Sequence, residues 1–229
     1  MDRLGTLLLF FVLILPSCSK DYYQVKSFKE KSRIHQKIAV LPVEMVFSGL
    51  QPFDLTDKEV LQQEEAESKA FQISLHNELV RRRETSKKGP HIELMRISKI
   101  NKIIEEEMSI KESWEIPPEE MAELLGVDAV LRSRVEKKRY FSDLASYGID
   151  VASKLIGLIA KDIGLFAAGQ SMKKSNDIYG RYELVDAKTE EILWSISFQE
   201  PANYKNPAEE IINGLNQKAA QRFPYKKKR

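Results

Sequence analysis

The sequence contains one thiol, and its position near the N-terminus makes it the first residue to consider for chemistry. Cys18 is the only cysteine among the 229 residues, so it cannot form a disulfide within the chain. Arg3 precedes an apolar run, Leu7–Leu15, which has the length of a signal-peptide core and is short for a membrane span. Pro16 and Ser17 then break the helix and place a small residue before the cysteine. The pattern predicts a signal peptide over residues 1–17.

The other titratable residues form no recognisable catalytic or metal-binding pattern. His35, His76 and His91 are far apart in the sequence, without the HxxxH or HExxH spacing of metal-binding helices. Two acidic runs, Gln62–Glu67 and Glu105–Glu107, fall in helical segments, and we expect them to be solvated faces. No G-x-S-x-G motif or phosphate-binding glycine loop occurs. The sequence therefore predicts no enzyme, catalytic residue, metal or cofactor, with a site assembled from distant segments as the alternative.

Composition limits the class of partner. Hydrophobic residues make up 42% of the chain and charged residues 31%, which is typical of a soluble globule. The net charge is only +2, with 36 basic and 34 acidic side chains. Nucleic-acid-binding domains are usually strongly basic on one face, so the near-balance argues against nucleic acid as the main partner.

Alternating strand-like and helix-like segments predict an α/β (α+β) fold, in which helices flank a mixed β-sheet. The first strand is predicted at Lys37–Phe47, where most residues are apolar and several are β-branched. The first long helix begins at a capping box, because Thr56 and Glu59 can each accept a hydrogen bond from the other's backbone N–H. Its apolar residues recur at helical spacing: Val60, Ala66, Ala70, Phe71, Leu75 and Leu79.

The same patterns predict the remaining elements. In chain order these are a strand at His91–Ile97; a helix with Ile100, Ile103 and Ile104 inward; a helix begun by Pro117 and ended by Gly126, with Met121, Leu124 and Leu125 inward; a strand after Val127; a hairpin at Tyr179–Phe198 with its turn at Asp186–Glu190; and a closing helix with Ile211, Ile212, Leu215 and Ala219 inward. We therefore predict a polar tether over 18–36, a single domain over 37–223 and a basic tail over 224–229.

An insertion over residues 142–174 separates the strand after Val127 from the hairpin. It contains apolar residues near helical spacing and four glycines, and the pattern predicts one or two helices. These helices could pack on the domain, associate with another copy, or contact a membrane as an amphipathic segment. The charged residues in the middle argue against a spanning helix. The candidate residues for membrane or oligomer contact are Leu144, Val151, Leu155, Leu158 and Phe166.

The motif Leu15-Pro16-Ser17-Cys18 resembles the lipobox of bacterial lipoproteins, in which the cysteine thiol receives a diacylglyceryl group and becomes the first residue after cleavage. The resemblance implies lipidation at Cys18 and attachment to a membrane without a spanning helix. Each buried acyl methylene contributes about 0.8 kcal/mol, so several chains hold firmly. Because Ser19 and not aspartate follows the cysteine, the resemblance implies the outer membrane, on its periplasmic side or alternatively at the cell surface.

Three further segments resemble envelope lipoproteins with the fold of the curli-secretion-channel lipoprotein and of the N-terminal domain of the Tol-Pal translocation protein. They are KIAVLPVE, MAELLGVDAVLRSRVE and YELVDAKTEEILWS. Those families carry a D-x-x-T-G-x-I-L-W hairpin, matched here by Asp186, Thr189 and Trp194, with Glu190 in place of the glycine. The resemblance implies a mixed sheet with helices on its faces and a location in the cell envelope.

The resemblance also implies a function carried out by binding. The expected function is that of a non-enzymatic outer-membrane lipoprotein that assembles or supports an envelope or secretion complex. The alternative is an oligomeric export-channel subunit of the curli-secretion type. The expected partners are the membrane, through the N-terminal lipid, and envelope proteins or a second copy of the chain.

Overall fold

The computed structural model describes residues 22–48, 56–84, 92–137, 176–201 and 208–225. The strands are β1 (Tyr22–Gln24), β2 (Lys37–Val40), β3 (Glu44–Phe47), β4 (Glu93–Leu94), β5 (Ala129–Lys137), β6 (Asn176–Asp186) and β7 (Ile192–Pro201). The helices are α1 (Phe28–Lys31), α2 (Asp57–Glu84), α3 (Ile97–Glu107), α4 (Pro118–Leu125) and α5 (Ala208–Arg222), with a 3-10 turn at Glu112–Trp114.

The seven strands form one mixed sheet in the order β1-β7-β6-β5-β2-β4, and β3 also pairs with β5. β5 lies at the centre, antiparallel to β6 and parallel to both β2 and β3. β2 and β3 follow each other along the same edge of β5, with Ile38 opposite Ala129 and Glu44 opposite Arg134. Pro42, which has no N–H to donate, lies between them. The predicted α+β fold is confirmed, and the predicted first strand consists of two segments.

The long helix α2 and the closing helix α5 pack together on the sheet. Asn216 of α5 connects this helix to both the sheet and α2. Its side chain accepts a hydrogen bond from the Tyr182 hydroxyl of β6 at 3.0 Å and donates one to the Phe71 carbonyl of α2 at 3.0 Å. Every residue predicted for the apolar stripe of α2 is buried. The predicted capping box is confirmed, since the Thr56 N–H donates to Glu59 at 2.8 Å and the Glu59 N–H to Thr56 at 3.3 Å.

Helix α3 packs against β2, and helix α4 packs against α3, β5 and β6. Ile100, Ile104, Met121 and Leu125 are buried as predicted, but Leu124 is 37% exposed and Ala122 is buried instead. Successive residues are rotated by roughly 100° around the helix axis, so Met121, Leu125 and Ala122 share one side of α4. Leu124 lies about 110° from the middle of that side and therefore faces outward. Gly126 ends α4 in the left-handed conformation, with φ +62°, as glycine does after a helix.

The N-terminal segment belongs to the folded domain. β1 pairs antiparallel with β7, placing Tyr22 opposite Ile196 and Gln24 opposite Trp194. Phe28 is buried in the core, and its ring centroid lies 5.3 Å from that of Tyr225 near the C-terminus. Residues 22–36, which we expected to be part of a tether over 18–36, therefore complete the β7 edge of the sheet. Polar composition concealed them because a short edge strand leaves most of its side chains in solvent.

The hairpin turn between β6 and β7 is organised by one side chain. Asp186 Oδ1 accepts hydrogen bonds from the backbone N–H of Lys188 at 3.0 Å, the N–H of Thr189 at 2.7 Å and the Thr189 hydroxyl at 2.9 Å. Glu190 follows with φ +58°, in the left-handed region that glycine occupies at low cost. The turn thus places a glutamate in a backbone conformation that favours glycine.

Candidate functional site

The residues predicted from sequence to carry function lie outside the described residues. These are Cys18 and the five insertion residues Leu144, Val151, Leu155, Leu158 and Phe166. The structure does fix where the insertion leaves the fold. β5 and β6 remain paired as far as Lys137 and Ile178, so residues 138–175 leave and rejoin the sheet at neighbouring points.

A buried ion pair lies at that point. Lys137, the last residue of β5, contacts the Glu67 carboxylate of α2, and the two side chains are 2% and 0% exposed. Gln63 donates to Glu67 at 3.2 Å, and Lys111 pairs with Glu64 at 2.9 Å nearer the surface. Burial lowers the pKa of Lys137 well below its ordinary value, and the negative charge of Glu64 opposes that shift.

The expectation that Gln62–Glu67 is a solvated face is therefore wrong for three of its residues, since Gln63, Glu64 and Glu67 are buried. In contrast, Glu105–Glu107 on α3 is exposed as expected. The difference arises because α2 packs against β5, where Lys137 supplies a buried countercharge. A carboxylate with such a partner can be buried, and the local sequence around it does not reveal that partner.

A second buried polar cluster joins both ends of the fold to the hairpin turn. His35 Nε2 lies 2.7 Å from Asp186 Oδ2, and His35 Nδ1 contacts the Tyr225 hydroxyl. Burial would raise the pKa of Asp186, but hydrogen bonds from Thr189 and His35 outweigh it and lower that pKa below its ordinary value.

An acid, an imidazole and a hydroxyl in this order are the parts of a nucleophilic triad. Here, however, burial raises the pKa of the Tyr225 hydroxyl far above its ordinary value, and the charges of Asp186 and Asp128 raise it further. The hydroxyl therefore stays protonated and can donate a hydrogen bond to His35. These contacts join the N-terminal segment, the hairpin turn and the C-terminal residues, and we call them the His35 clamp.

The open face of the sheet carries an exposed charged cluster. Ser133 and Val135 of β5 are buried, so the alternating residues Arg132 and Arg134 point to the opposite face. The neighbouring strands complete an open depression of about 270 Å³. We call it the arginine face, and its residues are Glu44, Arg132, Arg134, Arg181, Glu183 and Ile192.

The arginine face carries more positive than negative charge, and its guanidinium groups are its more accessible part. Arg134 and Arg181 stand directly opposite each other in the β5–β6 ladder, an arrangement of like charges that destabilises a sheet. Glu44 contacts Arg134 and lies 3.6 Å from Arg132, and Glu183 lies 2.5 Å from Arg181. Arg134 and Arg181 are 47% and 51% exposed, against 16% and 18% for the two glutamates.

Each of these two half-exposed guanidinium groups already contacts one glutamate, and its solvent-facing N–H groups can donate to a further carboxylate. Sequence reasoning missed the cluster, although period-two spacing within RSRVE and GRYEL held the signal.

In residues 22–48, 56–84, 92–137, 176–201 and 208–225, no three His, Cys, Asp or Glu side chains are grouped to hold a metal ion. No helix in the same ranges combines the length and apolar character needed to cross a membrane.

Comparisons with known proteins give likenesses at the level of fold. No protein-family model matches the chain, and no curated protein matches it in sequence. The PelC dodecamer from Paraburkholderia phytofirmans is 12% identical, with 92% of this chain and 99% of that chain covered and a TM-score of 0.43. Lipoprotein GNA1162 from Neisseria meningitidis is 11% identical, with 81% and 94% covered and a TM-score of 0.41.

The LpoB C-terminal domain from Salmonella enterica is 12% identical, with 73% of this chain and 84% of that chain covered and a TM-score of 0.34. Likenesses at this identity and TM-score do not determine what this chain does.

Proposed function

We propose that this chain is a non-enzymatic lipoprotein, anchored through Cys18 on the periplasmic side of the outer membrane, that supports an envelope or secretion complex through protein–protein contacts. The observation that carries the proposal is the arginine face, an exposed cluster on an otherwise well-packed sheet. The Leu-Pro-Ser-Cys motif supports the anchor.

The arginine face suits a protein partner better than a small molecule. Ligand pockets usually enclose about 300–1,000 Å³ and are mostly apolar, whereas this depression is open, near 270 Å³ and lined chiefly by charged side chains. Arginine is enriched in protein interfaces, and its planar guanidinium can bind a carboxylate through two parallel hydrogen bonds. A partner segment bearing Asp or Glu could therefore contact Arg134 and Arg181 together.

The anchor is tested by replacing Cys18 with alanine. The unchanged chain should incorporate a labelled fatty acid and fractionate with outer membranes, and the Cys18→Ala chain should lose the label. Protease treatment of intact cells should leave the unchanged chain uncut, as a periplasmic domain requires, whereas cleavage would place it at the surface. The anchor at Cys18 would be contradicted if the unchanged chain took up no labelled fatty acid and the Cys18→Ala chain were recovered in membranes to the same extent.

The contact is tested with a photo-crosslinking amino acid at position 134. A matched control at Lys102, which is 74% exposed on α3, reports random encounters. A specific partner should crosslink at 134 and not at 102, and the Arg181→Glu change should abolish the crosslink because it reverses the neighbouring charge. Equal crosslinking at both positions, or no effect of Arg181→Glu, would count against the arginine face as the contact.

The second candidate is the oligomeric export-channel subunit, and the position of the insertion allows it to be tested. Because residues 138–175 leave and rejoin the sheet at adjacent points, the insertion can be removed while β5 and β6 stay paired. The chain without residues 142–174 should then remain folded. A change from ring-shaped particles to monomers in detergent would favour the channel subunit, and a monomer before and after the deletion would exclude it.

A further inference from the structure

The sheet edge next to Cys18 exposes aromatic, aliphatic and basic side chains together. Residues Tyr22–Ile34, which we call the N-terminal edge, run along the outer side of β7. Tyr22 pairs opposite Ile196, the Val25 N–H donates to the Leu193 carbonyl at 3.0 Å, and Lys31 contacts Glu191. The segment thus follows β7 from its middle to the hairpin turn and forms one border of the domain.

This border carries three of the four large hydrophobic side chains that are exposed in the described residues. The three are Tyr22 (49%), Tyr23 (48%) and Ile34 (65%). The fourth is Leu124 on α4. Tyrosine is enriched where a protein meets the headgroup region of a bilayer, because its ring is apolar and its hydroxyl is polar.

The exposed charges on the same border are predominantly positive. Lys26, Lys29 and Arg33 are exposed, with Glu30 as the exposed acid among them, while Lys31 is already paired with Glu191. Near the same segment, the Tyr225 ring contacts Phe28 and His35, and the sequence after Tyr225 is Lys-Lys-Lys-Arg. This border therefore lies beside Tyr225, the residue after which a second basic stretch of the sequence begins.

Covalent geometry places this border close to the lipid. Four Cα–Cα steps connect Cys18 to Tyr22, a reach of at most about 14 Å in a fully extended chain. We propose that the N-terminal edge docks on a bilayer surface containing anionic phospholipids, with Tyr22, Tyr23 and Ile34 at the headgroups and Lys26, Lys29 and Arg33 on the phosphates. One lipid-linked signal plus a basic patch is the combination that gives stable attachment.

This docking rests on the proposed anchor at Cys18, and it would fix which way the domain faces. The lipid alone leaves the domain free to rotate about its attachment. A docked N-terminal edge would hold the sheet in one orientation and present the rest of the domain to partners away from the bilayer.

The test uses the full acylated chain, purified in detergent and reconstituted into vesicles of phosphatidylcholine with or without phosphatidylglycerol. An environment-sensitive nitrobenzoxadiazole label is attached at Ile34→Cys, and at Leu124→Cys as the matched control. Because the chain has one native cysteine and acylation consumes its thiol, each variant offers one free thiol. The intact mass of the same sample reports acylation of Cys18 separately from docking. A sample without acylation would contradict the proposed anchor at Cys18. Docking would then be measured with the same labels in chains that also carry Cys18→Ser.

Docking predicts a blue shift of the label at position 34 in vesicles with phosphatidylglycerol, a smaller shift without it, and none at position 124. Neutralising Lys26, Lys29 and Arg33 to glutamine should lower the ratio of docked to undocked domain about a hundredfold, at roughly fivefold per basic residue near an anionic surface. The control triple Lys58→Gln, Lys99→Gln, Lys102→Gln changes three exposed cations on α2 and α3 and should have no such effect.

An equal shift with and without phosphatidylglycerol, or an equal loss in both triple variants, would overturn the proposal. So would an unshifted label at position 34 on an acylated chain, a result that leaves the anchor itself intact. A shift in detergent that grows with protein concentration would show that a second copy covers this edge, which would also overturn it.

Discussion

His35 provides the sharpest test of whether the N-terminal segment belongs to the domain. Its ring bonds the Asp186 carboxylate at 2.7 Å and the Tyr225 hydroxyl; the side chains of His35 and Asp186 are buried, and Tyr225 is partly buried. A hydrogen bond to a charged group contributes about 1.5–3 kcal/mol and a neutral one about 1 kcal/mol. His35→Ala should therefore lower the free energy of unfolding by about 2.5–4 kcal/mol.

Tryptophan fluorescence can follow urea unfolding of the full chain in mild detergent, because Trp194 is fully buried against Phe223. Arg33→Ala is the matched control, since its exposed side chain lies two residues away and should change the free energy by less than about 0.5 kcal/mol. Tyr225→Phe removes only the hydroxyl and should cost about 1 kcal/mol. Its cost in the His35→Ala background should be smaller, because the bond is already lost.

The result that would refute this reasoning is a His35→Ala chain as stable as the Arg33→Ala chain. In that case residues 22–36 would unfold independently of the sheet, and the expectation of a tether over 18–36 would stand. A large loss in His35→Ala together with full additivity of Tyr225→Phe would refute a narrower point, namely that His35 and Tyr225 contact each other.

Three further predictions concern acid stability, backbone strain and the buried ion pair. The pKa of Asp186 is lower in the folded chain than the ordinary value of about 3.9. The ionised carboxylate therefore contributes fully to the free energy of unfolding above that value, and the contribution is lost as the pH falls through the folded pKa. Asp186→Asn should remove this dependence and flatten the acid side of a curve of stability against pH. Glu190→Gly should raise the free energy of unfolding by about 0.5–1 kcal/mol, because glycine adopts a positive φ without strain. Gly126→Ala should lower the same free energy by about 1 kcal/mol, because alanine is strained at a positive φ. Urea unfolding of both variants measures the two opposite effects. Glu67→Leu should cost about 3–5 kcal/mol by removing the carboxylate that the buried Lys137 ammonium contacts, and adding Lys137→Met should restore most of that loss; additive losses would count against the pair.

Local patterns predicted the elements whose signal lies within one segment. The Thr56–Glu59 capping box, the Gly126 helix end and the Asp186–Glu190 turn each depend on residues within about four positions of one another, and the structure contains all three. The apolar stripe of α2 is equally local, because helical spacing alone brings its side chains to one face.

Prediction failed where a residue's environment depends on a distant segment. Glu67 is a glutamate in an acidic run, and only the β5–α2 packing shows that Lys137, seventy positions later, is buried against it. His35 was expected in a tether, and its partners Asp186 and Tyr225 come from the opposite end of the chain. Such pairs have no period and no short motif, so a single sequence carries no signal for them.

These distant pairs also bear on how the chain can work. The His35 clamp fixes the N-terminal segment to the hairpin turn and to Tyr225, and therefore fixes the domain at a short distance from Cys18. A long flexible tether would let the arginine face sample many distances from the bilayer. A domain attached within about 14 Å of an anchored lipid can present Arg134 and Arg181 only within a narrow range of those distances. Lengthening residues 19–21 with a glycine-serine spacer should then weaken the crosslink at position 134 while leaving urea stability unchanged, and an undiminished crosslink would show that the partner does not require this geometry.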